Sequence, residues 1–148
     1  MALRKLQAAD VKFLVVHCSA TPPQNNVTAA DIDRWHRDKG WVMIGYHHVI
    51  KRDGTVEKGR PMDLPGAHVE GYNSQSIGIC MVGGVDSSKL MKPENNFTPA
   101  QFASLERLLK ELRPLFPKAV IQGHRDFPGV AKACPSFDAK EWAEALAL

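Results

Sequence analysis

Cysteine is scarce in this chain, and what there is does not pair: Cys18, Cys80 and Cys134 form an odd set with no CxxC spacing. That excludes a full disulfide framework and suits synthesis in a reducing compartment. Long apolar runs are also missing, since nothing approaches the roughly 20 apolar residues needed to span a bilayer. The N-terminus only imitates a secretory signal, with Arg4 and Lys5, then Phe13-Leu14-Val15-Val16, then Cys18-Ser19-Ala20. Its apolar run is short, with Asp10 and Lys12 before it, where a signal needs roughly 7–15 apolar residues. Cytoplasmic synthesis without a signal peptide, and no membrane insertion, are therefore expected. Repeats and low-complexity tracts are absent. So is a strong charge of one sign: 19 Lys and Arg stand against 16 Asp and Glu, a net charge of +3. The basic residues are scattered rather than gathered into a stripe, so direct nucleic-acid binding is not indicated.

What the chain does have is the composition of an ordinary globule. At 148 residues, 44% of them hydrophobic, it can bury one core without cross-links. One domain over residues 1–148 is expected, with residues 1–10 as an N-terminal extension. The β-branched run from Val11 to Val16 predicts a central strand buried on both faces. Thr28, with Asp31 three residues on, predicts a helix that carries Ile32 and Trp35 and stops at Gly40. Trp41 to Ile50 reads as a second strand, and Asp53-Gly54 as the turn to a return strand over Thr55 to Glu57. Residues 59–74 read as loop and Ser76 to Val82 as another buried strand. Asp86 to Asn96 should be a surface excursion. Thr98-Pro99-Ala100-Gln101 opens the best helix, whose apolar stripe includes Phe102, Leu105, Leu108, Leu109 and Leu112 and which Pro114 ends. A short strand over Ala119 to Gln122 and a helix capped by Asp138 follow. This order predicts an α/β fold, a central mixed β-sheet flanked by helices.

Six histidines, at 17, 36, 47, 48, 68 and 124, are the candidates for chemistry. Two stand out by position: His17 and His124 each end a short apolar strand, where the backbone is rigid and a side chain can enter a cleft. Alternation along the first strand would turn Cys18 away from His17, into the core. Cys80 lies within an apolar strand and should also pack. Cys134, between Ala133 and Pro135, is then the thiol with a reason to be elsewhere. A His, His, Cys set would suit Zn²⁺ and leave a fourth position open, although spacing alone signals this weakly. His124-Arg125-Asp126 imitates the protein-kinase catalytic loop, but the asparagine that loop requires would fall at Ala131. A Cys–His nucleophile pair remains open in principle, although nothing places Cys134 at a helix N-terminus, where a thiolate is favoured.

The motifs taken in order carry a resemblance. Phe-Leu-Val-Val-His-Cys-Ser-Ala-Thr (Phe13 to Thr21), Gly-Tyr-His-His-Val-Ile-Lys-Arg-Asp-Gly-Thr-Val-Glu (Gly45 to Glu57), Gly-Ala-His (Gly66 to His68) and Gly-Tyr-Asn (Gly71 to Asn73) come first. Ser-Ile-Gly-Ile-Cys-Met-Val-Gly-Gly (Ser76 to Gly84), Phe-Thr-Pro-Ala-Gln (Phe97 to Gln101), Gly-His-Arg-Asp (Gly123 to Asp126) and Lys-Ala-Cys-Pro-Ser-Phe-Asp (Lys132 to Asp138) follow. The chain resembles the zinc-dependent N-acetylmuramoyl-L-alanine amidases, whose superfamily includes the peptidoglycan recognition proteins. It looks most like the short phage lysozymes that are amidases by chemistry.

The resemblance implies hydrolysis of the amide between N-acetylmuramic acid and L-alanine in peptidoglycan, by a phage or prophage endolysin. It implies one Zn²⁺ held by His17, His124 and Cys134, with Tyr46 and Lys132 as catalytic side chains and His68 as a wall of the substrate groove. The bland alternatives are a half-buried strand tyrosine, a solvated loop lysine and a packing histidine. Asp126 could orient a metal ligand. Peptidoglycan is the expected partner, and the chain is expected to be a monomer that reaches the wall after the inner membrane is permeabilised. Contact with a phage RNA polymerase is a second partnership known among such lysozymes; the residues neither support nor exclude it. A wall-binding module without catalysis is the rival from another class, disfavoured by the presence of Cys134, Tyr46 and Lys132.

Overall fold

In the computed structural model, which describes residues 5–148, five strands form one sheet in the order β3-β2-β4-β1-β5. The strands are β1 (Phe13–Cys18), β2 (His48–Ile50), β3 (Val56–Lys58), β4 (Ser76–Met81) and β5 (Val120–Gly123). Strand β1 runs parallel to both β4 and β5, β2 runs parallel to β4, and only the edge strand β3 is antiparallel. Three α-helices accompany the sheet: α1 (Ala29–Asp38), α2 (Pro99–Leu112) and α3 (Ala139–Ala145). This is the mixed sheet flanked by helices that the order of elements predicts. Part of the expected N-terminal extension, residues 1–4, lies outside the described residues.

The helix ends follow their sequence signals. The Thr28 hydroxyl accepts from the Asp31 N–H while Asp31 reaches back to the Thr28 N–H. Thr98 and Gln101 make the same reciprocal pair, with Pro99 at the first position. Asp138 caps α3 through the Glu141 N–H.

Alternation along β1 sends Leu14, Val16 and Cys18 to one face of the sheet, where α2 and α3 cover them. That face holds the main core, with Ile77, Ile79, Met81, Leu105, Leu109 and Leu112. The opposite face receives Val15 and His17. There Ile32 of α1 packs on Val49 and Cys80, and Val69 and Phe127 pack on Val15. Cys18 and Cys80 are both buried, on opposite faces.

The largest departure from expectation is at residues 41–50. Only His48–Ile50 is strand. Two of the N–H groups before it go to α1 side chains, that of Ile44 to Asp33 Oδ1 at 2.8 Å and that of Gly45 to His36 Nδ1 at 2.9 Å, while that of His47 goes to the Gly78 carbonyl of β4. The carbonyls of Gly45, Tyr46 and His47 then accept from Ala67, Arg60 and Gly59. Up to Tyr46 the segment is thus hydrogen-bonded to a helix and to the chain that follows β3, so Tyr46 sits on a pinned bend and not within a strand. Strand β1 also starts and ends two residues later than expected, which makes His17 and Cys18 its last two positions.

Candidate metal centre

The site lies at the C-terminal ends of β1 and β5, the adjacent parallel strands paired Val16↔Gly123. His17 is the penultimate residue of β1, and His124 follows β5 directly in a 3-10 turn, His124–Asp126. Their rings stand 4.7 Å apart between centroids. Asp126 Oδ2 accepts the Gly123 N–H at 2.8 Å, so it closes the turn that carries His124 through the backbone.

Cys134 arrives from the loop before α3 and is tied there by its neighbours. Its carbonyl accepts from the Arg125 N–H at 2.9 Å, and its Sγ accepts from the Cys18 N–H at 3.2 Å. Pro135 presses so closely on Gly123 that a Cβ there would lie 2.7 Å from the proline Cδ. Glycine at the end of β5 therefore lets the two segments meet.

The three residues expected as ligands come together. One donor atom from each of His17, His124 and Cys134 lies within 4.8 Å of the others, and the Cys134 Sγ is 3.9 Å from His17 Nδ1. A tetrahedral centre with zinc-like bonds to nitrogen and sulfur spaces its donors roughly 3.3–3.6 Å apart. The set needs only a few tenths of an ångström of adjustment at that pair. Two imidazoles and one thiol, with no carboxylate, are borderline-soft donors that match Zn²⁺ better than Mg²⁺ or Ca²⁺. His17 is buried, while His124 and Cys134 are half-buried, so the cluster lies partly open to solvent.

The electrostatics agree with a cation site. Burial, then the neighbouring His68, His124 and Lys132, holds the His17 pKa well below its ordinary value. Burial and Lys132 lower His124. Both imidazoles are therefore neutral, the form that binds metal. The hydrogen bond with the Cys18 thiol, together with burial, pushes the Cys134 thiol up. The thiolate there needs a compensating positive charge.

The Tyr46 ring stands against that of His17, with centroids 5.0 Å apart, and also against that of His36, at 5.6 Å. Burial raises the phenol well above its usual pKa, so it stays a neutral donor. Its hydroxyl has no hydrogen-bond partner among the described residues, and no buried side-chain oxygen among them is left unpaired, so the hydroxyl reaches solvent. Lys132 is exposed, and its charge helps to lower the pKa of both His17 and His124.

His68 stands apart from the role that the resemblance implies. It is 9% exposed, with Nδ1 2.8 Å from His17 Nε2 and Nε2 3.1 Å from the Ser76 hydroxyl. Both ring nitrogens are engaged inside the protein, which leaves neither for a groove wall. Burial holds its pKa down at about 3. His47 donates to the Leu64 carbonyl and accepts from the Gly78 N–H, so both its ring nitrogens are used inside the protein. Ser76 and Asn73 also take part, although neither is a candidate from residue type or spacing. Asn73 Oδ1 accepts the His68 and Val69 N–H groups, each at 2.9 Å. Only strand register could have drawn attention to Ser76, which lies two residues from Gly78 on the face that carries His17.

The family described as N-acetylmuramoyl-L-alanine amidase matches residues 7–137. An endolysin of Enterobacteria phage K11 is 51% identical over 129 residues, covering 87% of this chain and 83% of that protein. An endolysin of Escherichia phage T7 is 50% identical over 138 residues, covering 93% and 89%. Among solved structures, the N-acetylmuramoyl-L-alanine amidase LysC from Clostridium intestinale superposes with a TM-score of 0.78 at 27% identity, covering 100% of this chain and 94% of that one.

Proposed function

The chain belongs to the N-acetylmuramoyl-L-alanine amidase family, and from that premise we propose that it is a zinc endolysin that works through His17, His124, Cys134, Tyr46 and Lys132. It hydrolyses the amide between N-acetylmuramic acid and the L-alanine of the peptidoglycan stem. The observation that carries the metal assignment is the convergence of two neutral imidazoles and one thiol within 4.8 Å.

An amide is a poor electrophile, and it must leave as an amine. Zn²⁺ held by the three ligands would act as a Lewis acid, polarising the carbonyl and making water acidic enough to attack near neutral pH. The protein's own groups do the rest. Neutral imidazoles leave their lone pairs free, and the Cys18 N–H favours the thiolate form of Cys134. The Lys132 ammonium would stabilise the negative charge that grows on the carbonyl oxygen; such a donor commonly contributes about 3–4 kcal/mol. The Tyr46 hydroxyl, free of partners within the protein, would hold the attacking water or the reacting carbonyl. His36 and the pinned bend fix that ring against His17.

The substrate partner is peptidoglycan, bound by a monomer. The enzyme acts on the cell wall, which it reaches once the inner membrane has been opened by other means; no helix among the described residues is long and apolar enough to cross a membrane. The test is release of muropeptides from purified sacculi, with mass spectrometry of the products. Free N-acetylmuramic acid carboxylates and free L-alanine amino termini are expected, and a strong chelator should abolish them until Zn²⁺ is restored. Sedimentation with sacculi without release would show a binding module, and undiminished release by metal-free protein would exclude the zinc assignment.

A further inference from the structure

His17 meets the site with one ring nitrogen and the protein interior with the other. An imidazole binds a cation only through a nitrogen that carries no proton, so the partner of Nε2 decides whether Nδ1 is free. The proton directions follow from the far end of the chain of contacts. The Tyr72 carbonyl can only accept, and it takes the single hydroxyl proton of Ser76 at 2.8 Å. The Ser76 oxygen must then accept from His68 Nε2–H, 3.1 Å away. A neutral His68 protonated on Nε2 has its lone pair on Nδ1, so His17 donates its Nε2–H there, across 2.8 Å. His17 Nδ1 is left with a lone pair, on the side that faces the Cys134 Sγ.

We infer that His68, oriented by Ser76 and the Tyr72 carbonyl, is a positioning residue that fixes the tautomer and ring angle of His17 so that Nδ1 meets the metal unprotonated. The proposal rests on the zinc reading above. Its support is structural and comes from several elements at once. Strand alternation puts Ser76 and Gly78 of β4 beside Phe13 and Val15 of β1, on the face that carries His17. Gly78 is bare so that the His68 ring can lie against the strand: a Cβ there would meet three ring atoms at 2.7–2.8 Å. Asn73 holds the backbone of residues 68 and 69. Ligand histidines commonly donate their second nitrogen to a carboxylate or a carbonyl, and losing that partner costs roughly 10–100-fold in metal affinity. Here an imidazole and a hydroxyl are inserted before the carbonyl, so the order of protons is kept without placing a charge in the interior.

The test uses the full chain and two readouts besides turnover. In metal-free wild type at neutral pH, ¹⁵N NMR should show His17 Nδ1 unprotonated and Nε2 protonated. His68→Leu should leave the tautomer mixed and raise the Zn²⁺ dissociation constant roughly 10–100-fold in a chelator competition. His68→Asn, whose amide oxygen can stand where Nδ1 was, should restore most of that affinity, and Ser76→Ala should lose less than His68→Leu. With Zn²⁺ saturating, kcat should fall in His68→Leu while KM holds. A raised KM with unchanged tautomer and metal affinity would mean that His68 touches substrate, and would overturn the inference. A proton on His17 Nδ1 in the wild type would overturn it even if no variant folds. Failure of the wild type to bind Zn²⁺ would instead refute the metal reading, and is seen before any variant is compared.

Discussion

The two faces of the sheet share the same strands and have opposite characters. On the α2 face, Leu14, Val16, Ile77, Ile79 and Met81 pack against Leu105, Leu109 and Leu112, and burial of apolar area is the driving term. On the other face, beyond the apolar patches under α1 and around Val15, the interior is filled by imidazoles. His17, His47 and His68 are each at most 9% exposed, and every one of them is hydrogen-bonded. A polar group buried without a partner would cost about 1–3 kcal/mol, so this face is stable only because its donors and acceptors are matched. The comparison teaches that one face holds the fold and the other is arranged around a chemical task. Substitutions on the two should therefore fail in different ways.

Cys134→Ala should fail most completely. Hydrolysis of sacculi and bound Zn²⁺ should both disappear, while Cys18→Ala, one strand residue from His17, keeps both nearly intact. Equal loss in the two, by metal analysis and turbidity assay, would put the ligand boundary in the wrong place. On the opposite face, Leu109→Ala should cost about 2–5 kcal/mol in urea unfolding, with zinc stoichiometry and turnover per folded molecule retained. Loss of metal there would mean that the faces are not separable. Lys132→Ala should keep its zinc and lower kcat roughly 10²–10³-fold; a collapse in metal content would make the lysine structural.

The smallest effect concerns His48, the imidazole on the α2 side, whose Nε2 lies 3.3 Å from Met62 Sδ. Burial lowers its pKa from 6.5 to about 4. Between those values the unfolded chain takes up a proton that the folded chain refuses, so stability falls as pH drops from 6.5 toward about 4 and is flat on this account below. The slope is about 1.4 kcal/mol per pH unit. His48→Phe should flatten urea-derived stability by that amount between pH 6 and 5, to be measured on metal-free protein; an unchanged slope would show that His48 does not titrate in this window.

The elements that were legible in the sequence are those with local causes. Thr28 with Asp31 and Thr98 with Gln101 announce their helices because a cap joins residues three apart. The β-branched run before His17 announces a buried strand. The stretch from Trp41 to Tyr46 misled because its apolar content suits a strand, while its hydrogen bonds are claimed by Asp33 and His36 on α1 and by the loop to Ala67. Nothing within the segment records that competition.

The same division governs the site. Motif order alone pointed to His17, His124, Cys134, Tyr46 and Lys132, since each stands in a short stretch of characteristic neighbours. The part played by His68 was not legible. It depends on the parallel register that sets Ser76 beside Phe13 and Gly78 beside Val15, and on a loop folded so that His68 lies against that bare glycine. Residue types and local spacing decided which groups are present. Contacts between residues 51 and 117 positions apart decided which nitrogen of His17 faces the thiol, because hydrogen-bond direction is settled only where strands and loops have closed around it.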